Sequence, residues 1–331
     1  MDNLTHSLVG ALLGQAGLKR KTGLAMPALI IGANLPDVDA ACFFWLDGVE
    51  HLGFRRGITH GPPALVLLPL VLAGVLYGFD RWQAGRGKRP EGRLPVRFGW
   101  LYALAFLGCL THPALDWLNV YGIRLLEPFS SQWFYGDTLF IIDFWLWALM
   151  GFATWFSLRR EKRGGEWKRP ARAAIAVALA YIGVNGVISA RQVSNFEALV
   201  PGIEKDLGHV IIASPVPLYF WQREIIYGYP KGHWAMYLAK APWKGPALPE
   251  VRRNSVEIVP TENLCVWQNF EERSATNSQM AAFLFWSRAP LAERGDDGSV
   301  VLRDARFYDP RARDQFSVKL FGNQCSSWSV N

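Results

Sequence analysis

The chain has 331 residues, half of them hydrophobic, and a formal net charge of +7. Its mean hydropathy of +0.08 averages an apolar first part with a polar remainder, so a value near zero does not exclude membrane spans. The basic excess is concentrated in short blocks between apolar stretches, without the interleaved aromatic residues a base-stacking surface needs, which argues against nucleic acid, and 4 cysteines are too few for a disulfide scaffold.

In chain order, Lys19, Arg20 and Lys21 divide the first 36 residues into two apolar stretches. Each is short for a span across a hydrocarbon core of about 30 Å. A tight helical hairpin with its basic tip toward the cytoplasm fits them, and Gly10 and Gly14 form a small-xxx-small pair that lets its helices approach. Met1 to His6 carry no Lys or Arg, which argues against a cleaved signal peptide. Apolar runs at 62–79, 98–118, 139–157 and 173–190 predict four spanning helices. Between the first two lie Arg81, Arg86, Lys88, Arg89, Arg93 and Arg97; between the last two lie Arg159, Arg160, Lys162, Arg163, Lys168, Arg169 and Arg172. Such blocks mark cytoplasmic loops. Segments 37–61 and 119–138, and everything after about residue 190, are then outside.

The tail reads as strands at Val256–Val259, Leu264–Trp267, Ala282–Trp286, Val300–Leu302 and Phe316–Phe321, with a further one at Glu224–Tyr229. The expected fold is an α-helical membrane domain over 1–190, an N-terminal hairpin plus four spanning helices, followed by a small, mainly β soluble domain over 191–331. Cys42 and Cys109 read as small buried hydrophobes. Cys265 and Cys325 would pair only if the tail faces an oxidising compartment.

Six polar residues stand at the ends of apolar segments, and the topology brings all six ends to the outer face: His6, Asp37, Asp39, His60, His112 and Asp116. Singly, His6 reads as a polar anchor, and Asp37 and Asp39 as turn or cap residues. His112 and Asp116 share a helix face inside an apolar run, where an aspartate costs roughly 2.5–3.5 kcal/mol at mid-membrane. They read as metal ligands or as a structural ion pair. Pro113 between them removes a backbone hydrogen bond and kinks the helix. Arg55 and Arg56 lie outside against the cytoplasmic bias of basic residues, which suits contact with a phosphate or carboxylate. Asp143 is either a third carboxylate of the cluster or a partner that orients a histidine. Together the set suits zinc, manganese or iron better than calcium, and its size is enough for one or two ions.

The order Asp2-x-x-Thr5-His6, Pro36-Asp37-x-Asp39, Arg56-Gly57-x-Thr59-His60, His112-x-x-x-Asp116 and Tyr121-Gly122 resembles the YdjM-type family of bacterial inner-membrane proteins, described as membrane-bound metal-dependent hydrolases. The motifs cover about residues 1–145. That family is in turn distantly similar to the zinc-dependent phospholipase C and single-strand nuclease superfamily. The resemblance implies His6, Asp37, His60, His112 and Asp116 as metal ligands. No second His-x-x-x-Glu helix matches the soluble enzymes, so a three-zinc site does not follow.

The expected function is hydrolysis of a phosphoester in a lipid or lipid-linked substrate at the outer face of a bacterial inner membrane, with a divalent metal, best zinc, as cofactor. Arg55, Arg56, Thr59 and Tyr121 would contact the anionic substrate, and Asp39 or Asp143 would act as general base or orient a ligand. The alternative is a non-enzymatic envelope protein with a structural metal site and a partner-binding β domain. A transporter would need polar groups continuing into the cytoplasmic halves of the spans, and those halves hold almost none.

Overall fold

The computed structural model describes residues 1–199, 209–228, 234–239, 250–251, 276–294, 299–308 and 313–320. Its first part is helical: α1 (Asn3–Gln15), α2 (Ala25–Asn34) running on into a 3-10 stretch (Leu35–Phe44), a short α3 (His51–Phe54), α4 (Pro62–Gly85), α5 (Phe98–Trp117), α6 (Phe144–Lys162) and α7 (Lys168–Leu199). The chain divides into two compact units, one of Met1–Asp39 with Arg56–Gly186, the other of Ala40–Arg55 with the described residues from Val187 onward.

Among the described residues, four helical segments are long and apolar enough to cross a membrane: Ala25–Phe44, Pro62–Gly85, Phe98–Trp117 and Lys168–Ala198. Three coincide with the expected runs at 62–79, 98–118 and 173–190, the second ending one residue earlier, at Trp117. Two details differ from the sequence expectation. Because α2 continues through the 3-10 stretch, the second arm of the hairpin reaches 20 residues and joins the spans. The run expected at 139–157 begins its helix only at Phe144 and is not one of the four, since α6 ends on Arg159, Arg160 and Lys162.

Local chemistry sets the helix ends. Asp2 caps α1, accepting from the amides of Leu4 and Thr5. Pro62 opens α4, where its missing N–H costs nothing. Within the first unit one apolar cluster joins α1, α5, α6 and α7 through Leu12, Leu115, Leu146, Met150 and Ala178. A second joins α2, α4 and α5 through Leu29, Leu72, Leu76, Leu101 and Leu104. The helices carrying site residues interlock through glycines: a Cβ on Gly108 of α5 would stand 2.6 Å from the Leu29 carbonyl of α2, and one on Gly10 of α1 2.7 Å from the same oxygen. Without side chains there, three backbones meet around α2, which brings His6, Asp37 and His112 within reach of one another.

In the second unit, β1 (Val210–Pro215), β2 (Arg223–Gly228), β3 (Trp234–Ala239) and β4 (Glu250–Val251) form an antiparallel sheet in that order. After α8 (Ser278–Trp286), β5 (Pro290–Arg294), β6 (Val300–Asp304) and β7 (Ser317–Leu320) form a second. Strands β2, β6 and β7 fall on expected ones. Ala282–Trp286, expected as a strand, is instead the end of α8: Asn277 caps it, and Met280, Phe283 and Trp286 bury one helical stripe. Residues 40–55 join this unit through α3, where Gly53 lets Ala282 of α8 approach. Here Asp304 and Arg306 form a fully buried ion pair, with Nη2 2.8 Å from Oδ2. Cys42 and Cys109 are buried and in no disulfide; Cys265, Cys325 and the strands expected at Val256–Val259 and Leu264–Trp267 lie outside the described residues.

Candidate metal centre

Four short pieces of the first unit bring the expected ligands together. The first turn of α1 is held by Asp2, whose Oδ2 accepts from the Thr5 hydroxyl at 2.6 Å, while the Trp147 indole donates to Thr5 Oγ1 at 2.9 Å. The next residue, His6, is fully buried. Asp37 and Asp39 follow α2 on the 3-10 stretch, Asp37 slightly exposed and Asp39 buried. The loop into α4 supplies Arg56, Thr59 and His60. Arg56 sits at φ 56°, a left-handed conformation unusual for a bulky side chain, which aims its N–H at Asp39 Oδ2, 2.8 Å away. From α5 come His112 and Asp116, both fully buried on one face.

Asp116 is the centre. Its Oδ2 lies 3.2 Å from Arg56 Nε, 3.4 Å from His112 Nε2 and 3.6 Å from His60 Nε2. Its Oδ1 faces the Met1 amine and stands 3.5 Å from His6 Nε2. The three imidazoles make no hydrogen bond to the carboxylate, and both nitrogens of His6 and Nε2 of His112 are buried without one. The His6 and His112 rings stack at 3.7 Å, and Asp37 Oδ1 lies 3.8 Å from His112 Nε2.

Hydrogen bonds behind the imidazoles fix which nitrogen faces the centre. His112 Nδ1 meets the Ala33 carbonyl at 2.7 Å; a carbonyl only accepts, so Nδ1 carries the proton and Nε2 keeps its lone pair. Behind His60, Nδ1 lies 3.0 Å from Thr59 Oγ1, which donates to Asp39 Oδ2 at 3.2 Å. With its one proton committed to Asp39, the Thr59 hydroxyl accepts from His60 Nδ1, and His60 Nε2 also presents a lone pair.

Two ligand sets result, His6 with Asp37 and His112, and His60 with His112 and Asp116, the candidate ligand atoms of each lying within 4.8 Å of one another. The residues fit a metal. Two atoms that bind one zinc at 2.0–2.2 Å in a tetrahedral shell stand about 3.3–3.6 Å apart, the separation between Asp116 and the three histidines and too long for hydrogen bonds. Buried imidazole nitrogens without partners cost about 1–3 kcal/mol each, and a cation among them removes that cost.

Other expected site residues are placed differently. Asp39 and Thr59 stand behind His60, and Tyr121 lies under the Arg56 guanidinium, 4.3 Å from its ring centroid. Arg55 belongs to the second unit, over the Phe43 ring at 5.5 Å, because the left-handed turn at Arg56 separates the two arginines. Asp143 is the N-cap of α6: Oδ1 accepts from Leu146 N at 2.9 Å and Oδ2 from Tyr181 Oη at 3.0 Å. Two residues were not singled out from the sequence. Asn119 is fully buried, and its Oδ1 accepts from Arg56 Nη1 at 3.1 Å and Tyr121 N at 2.9 Å. Arg124 donates its N–H to the Arg56 carbonyl at 2.9 Å, and burial pushes its guanidinium pKa down despite the neighbouring Glu127. Their one signal is position, in the loop that directly follows His112 and Asp116.

Comparison with known proteins bears on the first part of the chain. The chain is 29% identical over 141 residues to the uncharacterized protein YfhP of Bacillus subtilis (strain 168); the aligned stretch is 40% of this chain and 39% of that relative, so well under half of the relative's length is spanned. No solved structure matches the chain. The profile of the YdjM inner membrane protein family matches residues 1–192, which hold the whole Asp116 cluster. The chain belongs to the YdjM inner membrane protein family.

Proposed function

We propose that the protein is a metal-dependent hydrolase acting on a phosphoester of a lipid or lipid-linked substrate at the outer face of the inner membrane. One observation carries the reading: three buried histidines turn nitrogens toward one buried carboxylate at ligand-to-ligand separations of 3.4–3.6 Å, too long for hydrogen bonds. His6, Asp37, His60, His112 and Asp116 would hold one or two divalent ions, zinc by the mixture of imidazole and carboxylate, with manganese or iron as alternatives. When bound, such an ion supplies Lewis acidity that polarises a phosphoryl oxygen and makes water nucleophilic at neutral pH.

The chain's own groups prepare the rest. Arg56, held by Asn119, the Gly122 carbonyl at 3.2 Å and the Tyr121 ring, places a fixed guanidinium beside the cluster for an anionic group. Asp39 and Thr59 hold the His60 tautomer. Asp37, slightly exposed where the other four ligands are fully buried, would mark the side from which a substrate reaches the centre. The basic loops at 80–97 and 158–172 support an outer-face site and a C-terminal part on the same side. A second reading, a closed structural metal site in a non-enzymatic envelope protein, draws on the complete burial of His6, His60, His112 and Asp116.

Elemental analysis of detergent-purified protein, paired with a screen of lipid phosphoesters, separates the readings. The expected result is at least one equivalent of zinc and hydrolysis of a phosphoester, both lost in His112→Ala. Metal without hydrolysis leaves the structural reading; protein purified without chelator and free of stoichiometric metal overturns both.

A further inference from the structure

Between α1, α5, α6 and α7 of the first unit lies a cavity of about 310 Å³, within the range of small-ligand sites. Its walls include Leu12, Met150, Ile175 and Ala178, and it shares two helices with the metal centre. Thr5, Thr111 and Leu115 line it, and each immediately precedes a residue of the cluster, His6, His112 or Asp116. Successive helix positions turn by about 100°, so α1 and α5 present the cluster on one face and the cavity on the adjacent one.

The wall chemistry selects the occupant. The two hydroxyls are committed elsewhere: Thr111 Oγ1 donates to the Gly108 carbonyl at 2.6 Å, and Thr5 Oγ1 donates to Asp2 and accepts from Trp147. What remains for an occupant is methyl and methylene surface. The cavity also reaches Ala114 of α5 and Leu179 of α7, which are exposed on two helices apolar enough to span a membrane. With α5 and α7 read as spans, the medium outside those positions would be the hydrocarbon of the bilayer.

We infer that this cavity holds one hydrocarbon chain of a phosphorylated membrane lipid, entering sideways between α5 and α7 with its phosphate toward Arg56 and the Asp116 cluster. The inference rests on the hydrolase reading for the fate of the phosphate, but the chain site stands on the cavity. It makes the substrate class an amphiphile drawn from the bilayer, and a water-soluble phosphoester would lack the contacts that hold it.

The test uses the full-length protein in phosphatidylcholine vesicles with an alkyl phosphate bearing a diazirine near its chain end, followed by mass-spectrometric mapping. Labels are expected on Leu12, Met150 or Ile175. Ala178→Phe, which fills the cavity, should cut labelling of Met150 about tenfold, the loss of roughly two buried methylenes, with bound metal unchanged. Labels spread evenly over lipid-facing residues such as Val71 and Val75 would overturn the chain site, and the wild-type map needs no variant to fold. Cavity labelling by metal-free protein supports the chain site while removing the hydrolase reading; metal and hydrolysis with no cavity labelling does the reverse.

Discussion

Two buried aspartates of this chain, Asp304 and Asp116, differ in how their oxygens are used. Asp304 accepts from the Ser287 hydroxyl at 2.5 Å, the Arg306 N–H at 2.8 Å, and Nε and Nη2 of Arg306 at 2.8 Å each. Burial pushes its carboxyl pKa up, but the Arg306 charge and these hydrogen bonds outweigh it and hold the pKa below the usual range. Asp116 is just as buried and lies against the Met1 amine and 3.2 Å from Arg56 Nε, but it is also ringed by imidazole nitrogens 3.4–3.6 Å away. Burial of a carboxylate therefore says little about function. The first is a pair closed on its own arginine; the second pairs with Arg56 and also faces three imidazoles at separations that suit shared ligation of a cation.

The strongest way to break this contrast is to neutralise each carboxylate in turn. Asp304→Asn leaves the Arg306 guanidinium buried without its counter-charge and should cost about 3–5 kcal/mol, read as a lowered Tm with metal content intact. Asp116→Asn should abolish metal binding yet cost the metal-free protein less, because Arg56, its ion-pair partner at 3.2 Å, keeps its hydrogen bonds to Asn119 Oδ1 and the Gly122 carbonyl. Equal losses of stability in the two variants would mean that Asp116, too, is a structural pair. Acid offers the same comparison without a new variant: a depressed folded-state pKa means the Asp304 contribution is full at neutral pH and fades as pH falls through that value. The Tm gap between wild type and Asp304→Asn should therefore close on acidification.

The intermediate effect lies behind the ligands. Asp39 meets the cluster from behind, through Thr59, the Arg56 amide and His60 Nδ1 at 3.6 Å, so Asp39→Asn should weaken metal affinity about 10–100-fold without removing a ligand. Competition with a chelator of known affinity measures it. An unchanged affinity would detach Asp39 from the orientation of His60.

How much of this was legible in the sequence follows from what each residue does to its surroundings. His112 and Asp116 were visible because polar groups inside an apolar run are conspicuous, and the loop charges then gathered His6, Asp37 and His60 at one depth. Arg55 and Arg56 look equivalent as neighbours, and only the left-handed turn at φ 56° sends one to Asp116 and the other to Phe43. Ala282–Trp286 offers an unbroken apolar run that suits strand or helix, and the deciding signals, the Asn277 cap and the buried i, i+3 stripe, are local and easily passed over. Asn119 left no pattern, because a loop asparagine becomes informative only once its burial and its bond to Arg56 are known.

Asp143 carries the smallest effect and the sharpest lesson about carboxylates at helix ends. In sequence it sits at the outer start of an apolar run, as His6 does, and so was a candidate for the centre. In the fold both of its oxygens are occupied, Oδ1 by the Leu146 amide and Oδ2 by the Tyr181 hydroxyl, which is the work of a helix cap. Asp143→Ala should therefore lower stability by about 1 kcal/mol, the usual loss for an N-cap, and leave bound metal and any hydrolysis at wild-type levels. Tyr181→Phe removes one of the two bonds and should cost less than Asp143→Ala, again with metal unchanged. If Asp143→Ala instead strips the metal from a protein that still melts cooperatively, the residue acts on the centre through a path its hydrogen bonds do not show, and satisfied oxygens would no longer separate structural carboxylates from functional ones.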